Sequence, residues 1–474
     1  MTIPKAATDA LLRIDKLTLE NYRCFSECSL DFHPSLTVLV AENAQGKSTI
    51  LEALSLALDP LVATLTDTKS PGFARSDVWL TLADVETMTP ILPASFAVEG
   101  EISGRPVSWS RSLGSVSAQS RSSKKELKTV VDAAVELKAA SSTNSAVVLP
   151  VIAYYRTDRL WSSQASSSHR SGERHSFTGR MSGYENWATP TSSFRLFMDW
   201  YRSAFNDLRS STSKFRDADN RLEKQLAAIH DAVRTALEPT GWTSISWERN
   251  VQVDGQTQAE SEFVAIGHKT KGTLPLQLLS DGVKSMVSLV ADLSYRCVRL
   301  NPQFGEEAAR LTPGVVLIDE IDMHLHPRWQ QVVVELLRRA FPQVQLIVTS
   351  HSPQALSTVD YQSIRLVSLN DSSAKVTRPE YQTRGIESAD ILARLMNVDP
   401  VPQIEEAQWL SDYRALVQTA AHETAAGIDL WARIVAHFGP ENPVLSEIET
   451  LRKFQEFRLA HGISVEAGSR DAKA

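Results

Sequence analysis

Residues 36–49 read LTVLVAENAQGKST, and this stretch decides the fold of the protein. Its first five residues, Leu36–Val40, are a short and fully apolar run, which is typical of a buried strand in a parallel sheet. After a polar loop, apolar residues recur at helical spacing from Ile50 to Leu58. Pro60 is expected to end that helix, because proline cannot donate a backbone hydrogen bond. The pattern therefore predicts a strand, a loop and a helix in direct succession.

The loop carries Gly46-Lys47-Ser48 at the point where the strand passes into the helix. A helix N-terminus offers unpaired N–H groups and the positive end of its dipole to anionic oxygens, so a phosphate-binding loop belongs here. Lys47 can reach the β- and γ-phosphates, and the Ser48 hydroxyl can bind Mg²⁺. The loop departs from the phosphate-loop pattern at Ala41, where glycine is expected and where alanine resists a positive φ. The alternative is that the GKS tripeptide stands at this helix start by chance and binds no phosphate.

A second motif is VVLIDE, residues 315–320, in which an apolar run ends in two adjacent carboxylates. Such a strand is predicted to deliver Asp319 to the carboxyl edge of a parallel sheet, beside the phosphate loop, where it holds Mg²⁺ and its waters. Glu320, one residue further, can polarise an attacking water. The alternative is a strand that ends in acids without a function.

A third motif is LIVTSH, residues 346–351, another apolar strand that ends in polar side chains. His351 is predicted to sense the γ-phosphate by hydrogen bonding. A single histidine at a strand end is more often structural. Its position after the first two motifs favours the functional interpretation.

A fourth motif, LSDG at residues 279–282, precedes an apolar helix. Ser280, Asp281 and Gly282 would expose a hydroxyl group and backbone N–H groups at the helix N-terminus, which predicts a second anion site. The alternative is an ordinary N-cap, for which serine or aspartate needs no further purpose. The order of the four motifs favours the anion site.

Four motifs in this order resemble those of the ABC-type ATPase superfamily, in the branch that contains RecF, the SMC-like repair ATPases and the OLD family. ENAQGKST is similar to the Walker A loop, LSDG to the signature motif, VVLIDE to the Walker B motif and TSHS to the switch histidine. The opening LTLENYRCF is similar to the first strand of the family, which suggests that Arg23 lies near the nucleotide.

The resemblance implies ATP and Mg²⁺ as ligands, with Ser48 and Asp319 at the metal and Glu320 and His351 as catalytic residues. It also implies that the signature residues Ser280, Asp281 and Gly282 contact the nucleotide. The Walker A loop would contribute Asn43, Ala44, Gln45, Gly46, Lys47, Ser48 and Thr49 to nucleotide binding.

The fold that the resemblance implies is an α/β fold, that of an ABC-type P-loop ATPase with a mixed β-sheet, an antiparallel β-lobe, a short helical insertion and a helical C-terminal tail. The antiparallel lobe is predicted at residues 95–113, which read as two strands joined by a Gly-containing turn. Four segments are predicted: an N-terminal ATPase lobe (1–160), an insertion with a Ser-rich loop and helices (161–270), a C-terminal ATPase lobe (271–385) and the tail (386–474).

Three further stretches narrow the resemblance: VIAYYRTDRLW (151–161), LSDGVKSMVSLVADL (279–293) and the segment 385–402. They are similar to the ATPases of Septu-type and retron-associated antiphage defence systems, which are encoded beside an HNH nuclease. This implies a homodimer, or a multiple of it, in which two protomers hold two nucleotides head to tail. It also implies that the ATPase acts as a sensor or regulator subunit that controls a partner nuclease.

Two alternatives belong to other classes of protein. A RecF-like repair ATPase would bind duplex DNA through a basic groove, for which the net charge of −7 gives no support. A local patch and a Ser-rich contact loop at 162–182 keep nucleic-acid contact open; the patch would comprise Arg105, Arg111, Lys124, Lys125 and Lys128. An OLD-type nuclease needs a Glu and an Asp-x-Asp pair for two metals, and no Asp-x-Asp follows His351.

Composition sets the broad class. Hydrophobic residues make up 42% and charged residues 22% of 474 residues, which is typical of a globular protein with a sizeable core. No run approaches the ~18 apolar residues of a membrane span, and no secretory signal is visible. Cys24, Cys28 and Cys297 do not form a zinc pattern and are interpreted as free thiols. We therefore expect a cytoplasmic protein without a membrane partner.

Overall fold

The computed structural model describes residues 11–84, 87–114, 126–157, 179–210, 216–254, 257–370 and 373–461. The chain divides into two compact units, Met1–Met396 and Asn397–Ala474. Residues 386–396, assigned above to the tail, therefore belong to the first unit.

The strands of the described residues all lie in the first unit. They are β1 (Leu12–Tyr22), β2 (Phe25–Asp31), β3 (Leu36–Val40), β4 (Leu80–Asp84), β5 (Thr87–Pro90), β6 (Ala94–Ile102), β7 (Arg105–Leu113), β8 (Val151–Tyr155), β9 (Trp242–Asp254), β10 (Thr257–His268), β11 (Gly272–Pro275), β12 (Gly314–Ile318), β13 (Val344–Thr349), β14 (Ile364–Asn370) and β15 (Ser373–Thr377).

The α-helices follow the same chain order. They are α1 (Lys47–Thr66), α2 (Lys128–Thr143), α3 (Pro190–Ser210), α4 (Arg216–Leu237), α5 (Asp281–Leu300), α6 (Ala308–Leu311), α7 (Pro327–Gln330), α8 (Val333–Ala340), α9 (Pro353–Leu356), α10 (Ser388–Arg394), α11 (Glu405–Gln418), α12 (Ala425–Phe438) and α13 (Pro443–Ala460).

One mixed sheet organises the first unit, with the strand order β7-β6-β1-β2-β15-β14-β3-β13-β12-β8. The strands β14, β3, β13, β12 and β8 run parallel to one another. Every residue of β3, β8 and β12 is buried, as expected for strands covered on both faces. The other half pairs β7, β6, β1 and β2 antiparallel. The predicted mixed sheet and antiparallel lobe are confirmed.

Helix α1 does not end at Pro60, so that expectation is wrong. The helix continues to Thr66, with Pro60 inside it. A proline in a helix interior costs about 3 kcal/mol. Leu61, Val62 and Leu65 beyond it are buried, and burying each such side chain contributes roughly 1.5–3 kcal/mol. Core packing therefore outweighs the lost backbone hydrogen bond.

Helix α1 is also the one helix of the described residues that is long and apolar enough to cross a membrane, and 61% of its most apolar window is buried. It begins in the phosphate loop, and its apolar side chains belong to the main core. Length and composition are weak grounds for a membrane span here, because a core helix passes the same test.

The insertion forms two helices, α3 and α4, and two strands, β9 and β10, which make a separate three-stranded sheet with β11. Most of the Ser-rich stretch 162–182 lies outside the described residues. At its described end, the Arg180 guanidinium donates to the Leu300 carbonyl oxygen at 2.6 Å and to Asn301 Oδ1 at 3.3 Å. Arg180 therefore ties the end of this stretch to the end of α5.

The second unit has a core of its own, made by α11, α12 and α13. Its buried centre consists of Tyr413, Val417, Ile434, Leu445 and Ile448. The Tyr413 ring stacks on Trp431, with ring centroids 4.8 Å apart. The helical tail predicted from the sequence is confirmed.

Candidate nucleotide-binding and hydrolysis site

Parallel strands bring three predicted motifs to one edge of the sheet. Strand β3 pairs in parallel with β13, and β13 with β12. The phosphate loop follows β3, Asp319 follows β12, and His351 lies two residues beyond the end of β13. Their side chains are thus delivered to the carboxyl edge, the position where α/β sheets bind ligands.

The phosphate loop turns into α1 through two residues with left-handed backbone. Gly46 caps the helix with φ +84° and Ala44 has φ +63°. Ala41 is not among the residues of positive φ, so the methyl group at the position where glycine was expected meets no backbone conflict. The strain in this loop lies at Ala44 instead.

Gly46 is required for packing as well as for its backbone angle. A Cβ atom on Gly46 would lie 2.2 Å from Cζ of Phe25 and 2.8 Å from Sγ of Cys24. The Cys24 thiol also lies 3.8 Å from Oγ1 of Thr49. The turn between β1 and β2 therefore supports the phosphate loop from behind and fixes its shape.

Lys47 is buried, and its ammonium group donates to the carbonyl oxygens of Ala41 and Glu42, both at 2.9 Å. Burial lowers the pKa of Lys47, while the carboxylates of Asp319, Glu320 and Asp322 act in the opposite direction. The lysine therefore lies within the field of the carboxylates that follow β12. Ser48, Asn43 and Ala44 are exposed.

Asp319 and Glu320 are both held by Thr349. The Thr349 hydroxyl donates to Oδ1 of Asp319 at 2.6 Å and accepts the Glu320 N–H at 2.7 Å. Glu320 has a left-handed backbone with φ +48°, a conformation that costs free energy in a non-glycine residue and is concentrated at functional sites. Thr349 was not predicted as a site residue; its place in TSHS, two residues before His351, was the available signal.

His351 completes the group around Lys47. Burial lowers the pKa of His351, and the Lys47 charge lowers it further, against the opposing effect of Asp322, Glu320 and Asp319. A neutral imidazole can donate to or accept from a phosphate oxygen or a water molecule. The structure thus places Lys47, Asp319, Glu320 and His351 at the same edge of the sheet.

Asp322 is a residue that the sequence interpretation missed. It acts on the charges of both Lys47 and His351, and its Oδ1 is buried without a hydrogen-bond partner in the described part of the chain. A buried carboxylate oxygen without a partner is costly unless a ligand or water completes it. The acidic spacing Asp319, Glu320, Asp322 was the only sequence signal.

The signature segment lies at the start of α5. Ser280 has extended backbone, and its hydroxyl makes no capping hydrogen bond, so it is not an ordinary N-cap. Ser280 and Asp281 are exposed. A Cβ atom on Gly282 would lie 2.6 Å from the carbonyl oxygen of His324. The start of α5 therefore packs directly against the loop that follows Glu320, and a side chain at position 282 would clash with the backbone of that loop.

No hydrogen bond or ion pair of the described residues joins Ser280 to the phosphate loop of the same chain. A buried network instead connects α5 to the sheet edge. The Tyr155 hydroxyl donates to Oδ2 of Asp292 at 2.7 Å, and Nε of Arg296 donates to the same oxygen at 2.9 Å. The carbonyl oxygen of Tyr155 accepts the N–H of Asp319 at 2.8 Å. Because breaking a buried ion pair costs about 3–5 kcal/mol, the network holds α5 rigidly to this edge.

Arg23 lies beside α1, with its guanidinium engaged by carboxylates. It forms ion pairs with Glu52 and Asp77, and Glu52 also pairs with Arg156 at 3.0 Å. Arg23 and Cys24 line a cavity of about 570 Å³ together with Trp79 and its neighbours. Cys24 lines this cavity and also lies close to Gly46 of the phosphate loop. A contact between Arg23 and a nucleotide stays a prediction.

Two residues of the phosphate loop have side chains that make contacts within the protein. Gln45 accepts the Leu369 N–H through its side-chain oxygen at 2.5 Å, so its side chain anchors the loop to β14. The side-chain hydroxyl of Thr49 lies against Cys24. Both residues therefore support the loop from inside the protein.

Three of the five residues proposed for a basic patch, Arg105, Arg111 and Lys128, lie in the described part of the chain, and each is paired or buried. Arg105 pairs with Glu136 at 3.2 Å and Lys128 with Asp132 at 2.7 Å. Arg111 is buried, and its guanidinium donates to Ser70 Oγ at 2.9 Å. Lys124 and Lys125 lie outside the described residues. Of these three cationic side chains, two are therefore paired with carboxylates and one is buried.

Cys24, Cys28 and Cys297 are free thiols, as predicted. Within the described ranges, no group of three or more His, Cys, Asp or Glu residues could hold a metal ion by itself. A cation at this sheet edge would therefore need oxygens from a ligand or from water.

Comparison with protein families gives two matches. Residues 156–357 match the family described as "AAA domain, putative AbiEii toxin, Type IV TA system", and residues 16–238 match another described as "AAA domain". Each covers somewhat less than half of the chain.

Several curated relatives are similar to this chain. The probable ATPase of retron Vc95 from Vibrio cholerae serotype O1 biovar El Tor is 25% identical over 458 residues, covering 88% of this chain and 85% of that protein. The probable ATPase of retron Ec83 from Escherichia coli is 26% identical, covering 92% and 86%. The Septu protein PtuA of Bacillus mycoides (strain KBAB4) is 34% identical over 118 residues, which cover 25% of this chain and 16% of that protein.

Among solved structures, the SMC head domain from Thermotoga maritima aligns with 78% of this chain and 100% of its own, at 14% sequence identity and a TM-score of 0.40.

Proposed function

We propose that this chain, an α/β protein with the ABC-type P-loop ATPase fold and similar to retron and Septu ATPases, binds and hydrolyses ATP with Mg²⁺ to control a partner nuclease in antiphage defence. The observation that carries the ATPase proposal is that the parallel strands β3, β13 and β12 bring Lys47, Asp319, Glu320 and His351 to one edge of the sheet. The similarity to retron ATPases, which extends over 85% and 86% of their length, supports the defence role.

Nucleotide binding rests on the loop between β3 and α1. The N-terminus of α1 directs its free N–H groups toward the site, and Lys47 supplies a positive charge. In the absence of a ligand, the ammonium group donates to Ala41 and Glu42. Phosphate oxygens would take over these hydrogen bonds, which gives the lysine a strong preference for the nucleotide-bound arrangement.

The site fits Mg²⁺, which is bound in proteins through one or two carboxylates, substrate phosphates and waters. Ser48 and Asp319 would hold the ion, and the unpartnered Oδ1 of Asp322 offers an acceptor for one of its waters. Mg²⁺, when bound, offsets the negative charge on the phosphates. Thr349 fixes the orientation of Asp319 from behind through the bond at 2.6 Å.

Glu320 is proposed to orient and polarise the attacking water. Its backbone is fixed by the bond to Thr349, and its left-handed φ directs the residue away from the continuing strand. His351 would hydrogen-bond the γ-phosphate in its neutral form, because burial and Lys47 lower its pKa. Positioning of this kind is the main source of catalysis in phosphoryl transfer.

Ser280 is proposed to act on the nucleotide of a second protomer in a head-to-tail homodimer. Its hydroxyl makes no capping bond, and Leu278 beside it is 76% exposed. An exposed apolar side chain next to an unpartnered helix N-terminus favours a contact that closes only in an assembly. ATP would then join the two protomers and hydrolysis would separate them.

The partner is proposed to be an HNH-type nuclease and the location the cytoplasm, as the similarity to Septu and retron ATPases suggests. Regulation of a protein partner agrees with the net charge of −7. RecF-like binding of duplex DNA is the less favoured candidate, because Arg105, Arg111 and Lys128 are paired or buried.

The test is a phage challenge of bacteria that carry this chain together with the nuclease encoded beside it. We expect protection from the intact pair, loss of protection with Lys47→Ala, and co-purification of the nuclease with both versions of this chain. Protection without the nuclease gene, or tight binding of naked duplex DNA by the chain alone at physiological salt, would contradict the proposal.

A further inference from the structure

Helix α13 exposes large apolar side chains on the side that faces away from the core of its own unit. Leu451, Phe454 and Phe457 are 43%, 60% and 54% exposed. Leu445 and Ile448, on the other side of the same helix, are buried in that core. Contiguous exposed apolar surface of this kind marks contact sites in folded proteins.

Four residues form a line along this exposed side: Glu447, Leu451, Phe454 and Arg458, which we call the α13 stripe. Their spacing of four, three and four residues places them on one face of the helix. The stripe begins with an acid, has two apolar residues in its middle and ends with a base. The spacings of four, three and four residues are the same when the stripe is read in either direction, so two copies can face each other in antiparallel orientation.

The acid at one end of the stripe is exposed, and the base at the other end is half-buried. The side chain of Glu447 is 69% exposed, and its contact with Arg414 is long at 3.6 Å. The Arg458 guanidinium lies over the ring of Phe454, 5.9 Å from the ring centroid. An ion pair as exposed as that of Glu447 with Arg414 contributes little, so Glu447 can form a better one elsewhere.

We propose that the α13 stripe joins two copies of this chain, with two α13 helices antiparallel about a two-fold axis. In this arrangement each Glu447 faces the Arg458 of the other copy, and each Leu451 faces the Phe454 of the other copy. A two-fold contact of this type requires a surface that is complementary to itself. A parallel pairing would place like charges opposite each other, so the sequence of the stripe selects the antiparallel one.

The contact is independent of nucleotide, because the α13 stripe lies in the second unit and none of its residues belongs to the phosphate loop or the signature. Combined with a nucleotide-dependent head-to-tail contact, it would join dimers into a larger closed or open assembly. One helix face buries less than a standard interface, so we expect a dissociation constant on the order of 10 µM for this contact alone.

The experiment is sedimentation velocity on the full chain carrying Lys47→Ala, without nucleotide, from about 1 to 100 µM, a range that brackets the expected constant. We expect a concentration-dependent dimer. Phe454→Gln and Leu451→Gln should each raise the dissociation constant at least about tenfold, because each removes the apolar centre of the contact. Glu447→Arg and Arg458→Glu should each weaken the dimer as well.

The decisive variant is the double exchange Glu447→Arg with Arg458→Glu, which restores opposite charges across the two-fold axis and should restore the dimer. Glu449→Arg and Lys453→Glu are matched controls, since both are exposed on the same helix outside the stripe, and should leave the dimer unchanged. A monomer at all concentrations, a dimer unaffected by Phe454→Gln and Leu451→Gln, or single exchanges that the double exchange fails to rescue would overturn the proposal.

Discussion

The hydroxyl group of Thr349 donates a hydrogen bond of 2.6 Å to Oδ1 of Asp319, although the two residues are 30 positions apart in the chain. Through the same hydroxyl, Thr349 accepts the backbone N–H of Glu320 at 2.7 Å. One side chain at the end of β13 therefore fixes both acidic residues at the end of β12. The orientation of the proposed metal ligand and of the proposed catalytic carboxylate depends on this threonine.

Replacing Thr349 by Val should lower the rate of ATP hydrolysis roughly 10- to 100-fold, the usual effect of losing a group that orients a metal ligand. Thr349→Ser keeps the hydroxyl and should retain most of the activity. The measurement is steady-state phosphate release at several Mg²⁺ concentrations. Equal rates for the Val and Ser proteins would show that the two hydrogen bonds do not matter for turnover.

Glu320→Gln should keep ATP binding while slowing hydrolysis by about 10²- to 10⁴-fold, because the amide cannot polarise the attacking water. Lys47→Ala should lose ATP binding itself. Binding is measured with a fluorescent ATP analogue and turnover by phosphate release. Glu335→Gln on the surface of α8 is the control and should behave like the unchanged protein; normal turnover by Glu320→Gln would remove Glu320 from its proposed role.

Ser280→Arg should abolish turnover without weakening ATP binding to a single protomer, because Ser280 is proposed to act on the partner's nucleotide. Mixed with the Lys47→Ala protein, it should regain activity, since a mixed dimer pairs an intact phosphate loop with an intact signature. At a 1:1 ratio, random pairing of a two-site dimer predicts about a quarter of full activity. A mixture as inactive as its two components would argue against the head-to-tail dimer.

The stability of the nucleotide-free protein should fall on acidification partly because of His351. Burial and Lys47 lower the pKa of His351 below its ordinary value of 6.5. As pH falls through 6.5, the unfolded chain takes up a proton that the folded chain resists, so the free energy of unfolding decreases. Urea unfolding of the unchanged and His351→Gln proteins, at pH values above and below 6.5, checks this. The Gln protein should lose less stability on acidification, and an identical loss would refute the assignment.

A chain ending at Met396 should fold and retain ATP binding, because the second unit has a buried core of its own around Tyr413, Ile434 and Ile448. Thermal unfolding followed by circular dichroism and binding of a fluorescent ATP analogue are the measurements. A chain ending at Gly385 serves as comparison, since it removes Ile391, which is fully buried in the core of the first unit, and should be less stable. Aggregation of both chains would show that the first unit depends on the second.

Four short motifs in a fixed order could be recognised in the sequence, and the family resemblance that they carry implied the mixed sheet. The same motifs indicated that Lys47, Asp319, Glu320 and His351 follow strands or begin a helix at one edge of that sheet. Each of these motifs is local: an apolar run followed by a few polar residues. Because parallel strands share one carboxyl edge, local patterns were enough to bring these residues together. The antiparallel lobe was equally readable, from its alternation and its Gly-containing turn.

Other features were decided only by contacts between distant parts of the chain. The end of α1 at Thr66 rather than Pro60 depends on the core that surrounds Leu61 and Leu65. The role of Thr349 depends on its hydrogen bonds to Asp319 and Glu320 at the end of the neighbouring strand. The role of Asp322 depends on its interaction with the charges of Lys47 and His351. The approach of Gly282 to His324 depends on how α5 packs against the loop after Glu320.

The sequence by itself determined which strands and loops carry the candidate site residues, because hydrophobic periodicity and loop composition act over a few neighbouring residues. Tertiary structure decided which charged side chains remain exposed and free to bind a partner molecule. Arg105 and Lys128 have carboxylate partners, and Arg111 is buried, whereas the Glu447 side chain on α13 is 69% exposed. The energy of a charge depends on the burial and the partners that surround it in space, and no linear pattern contains that information.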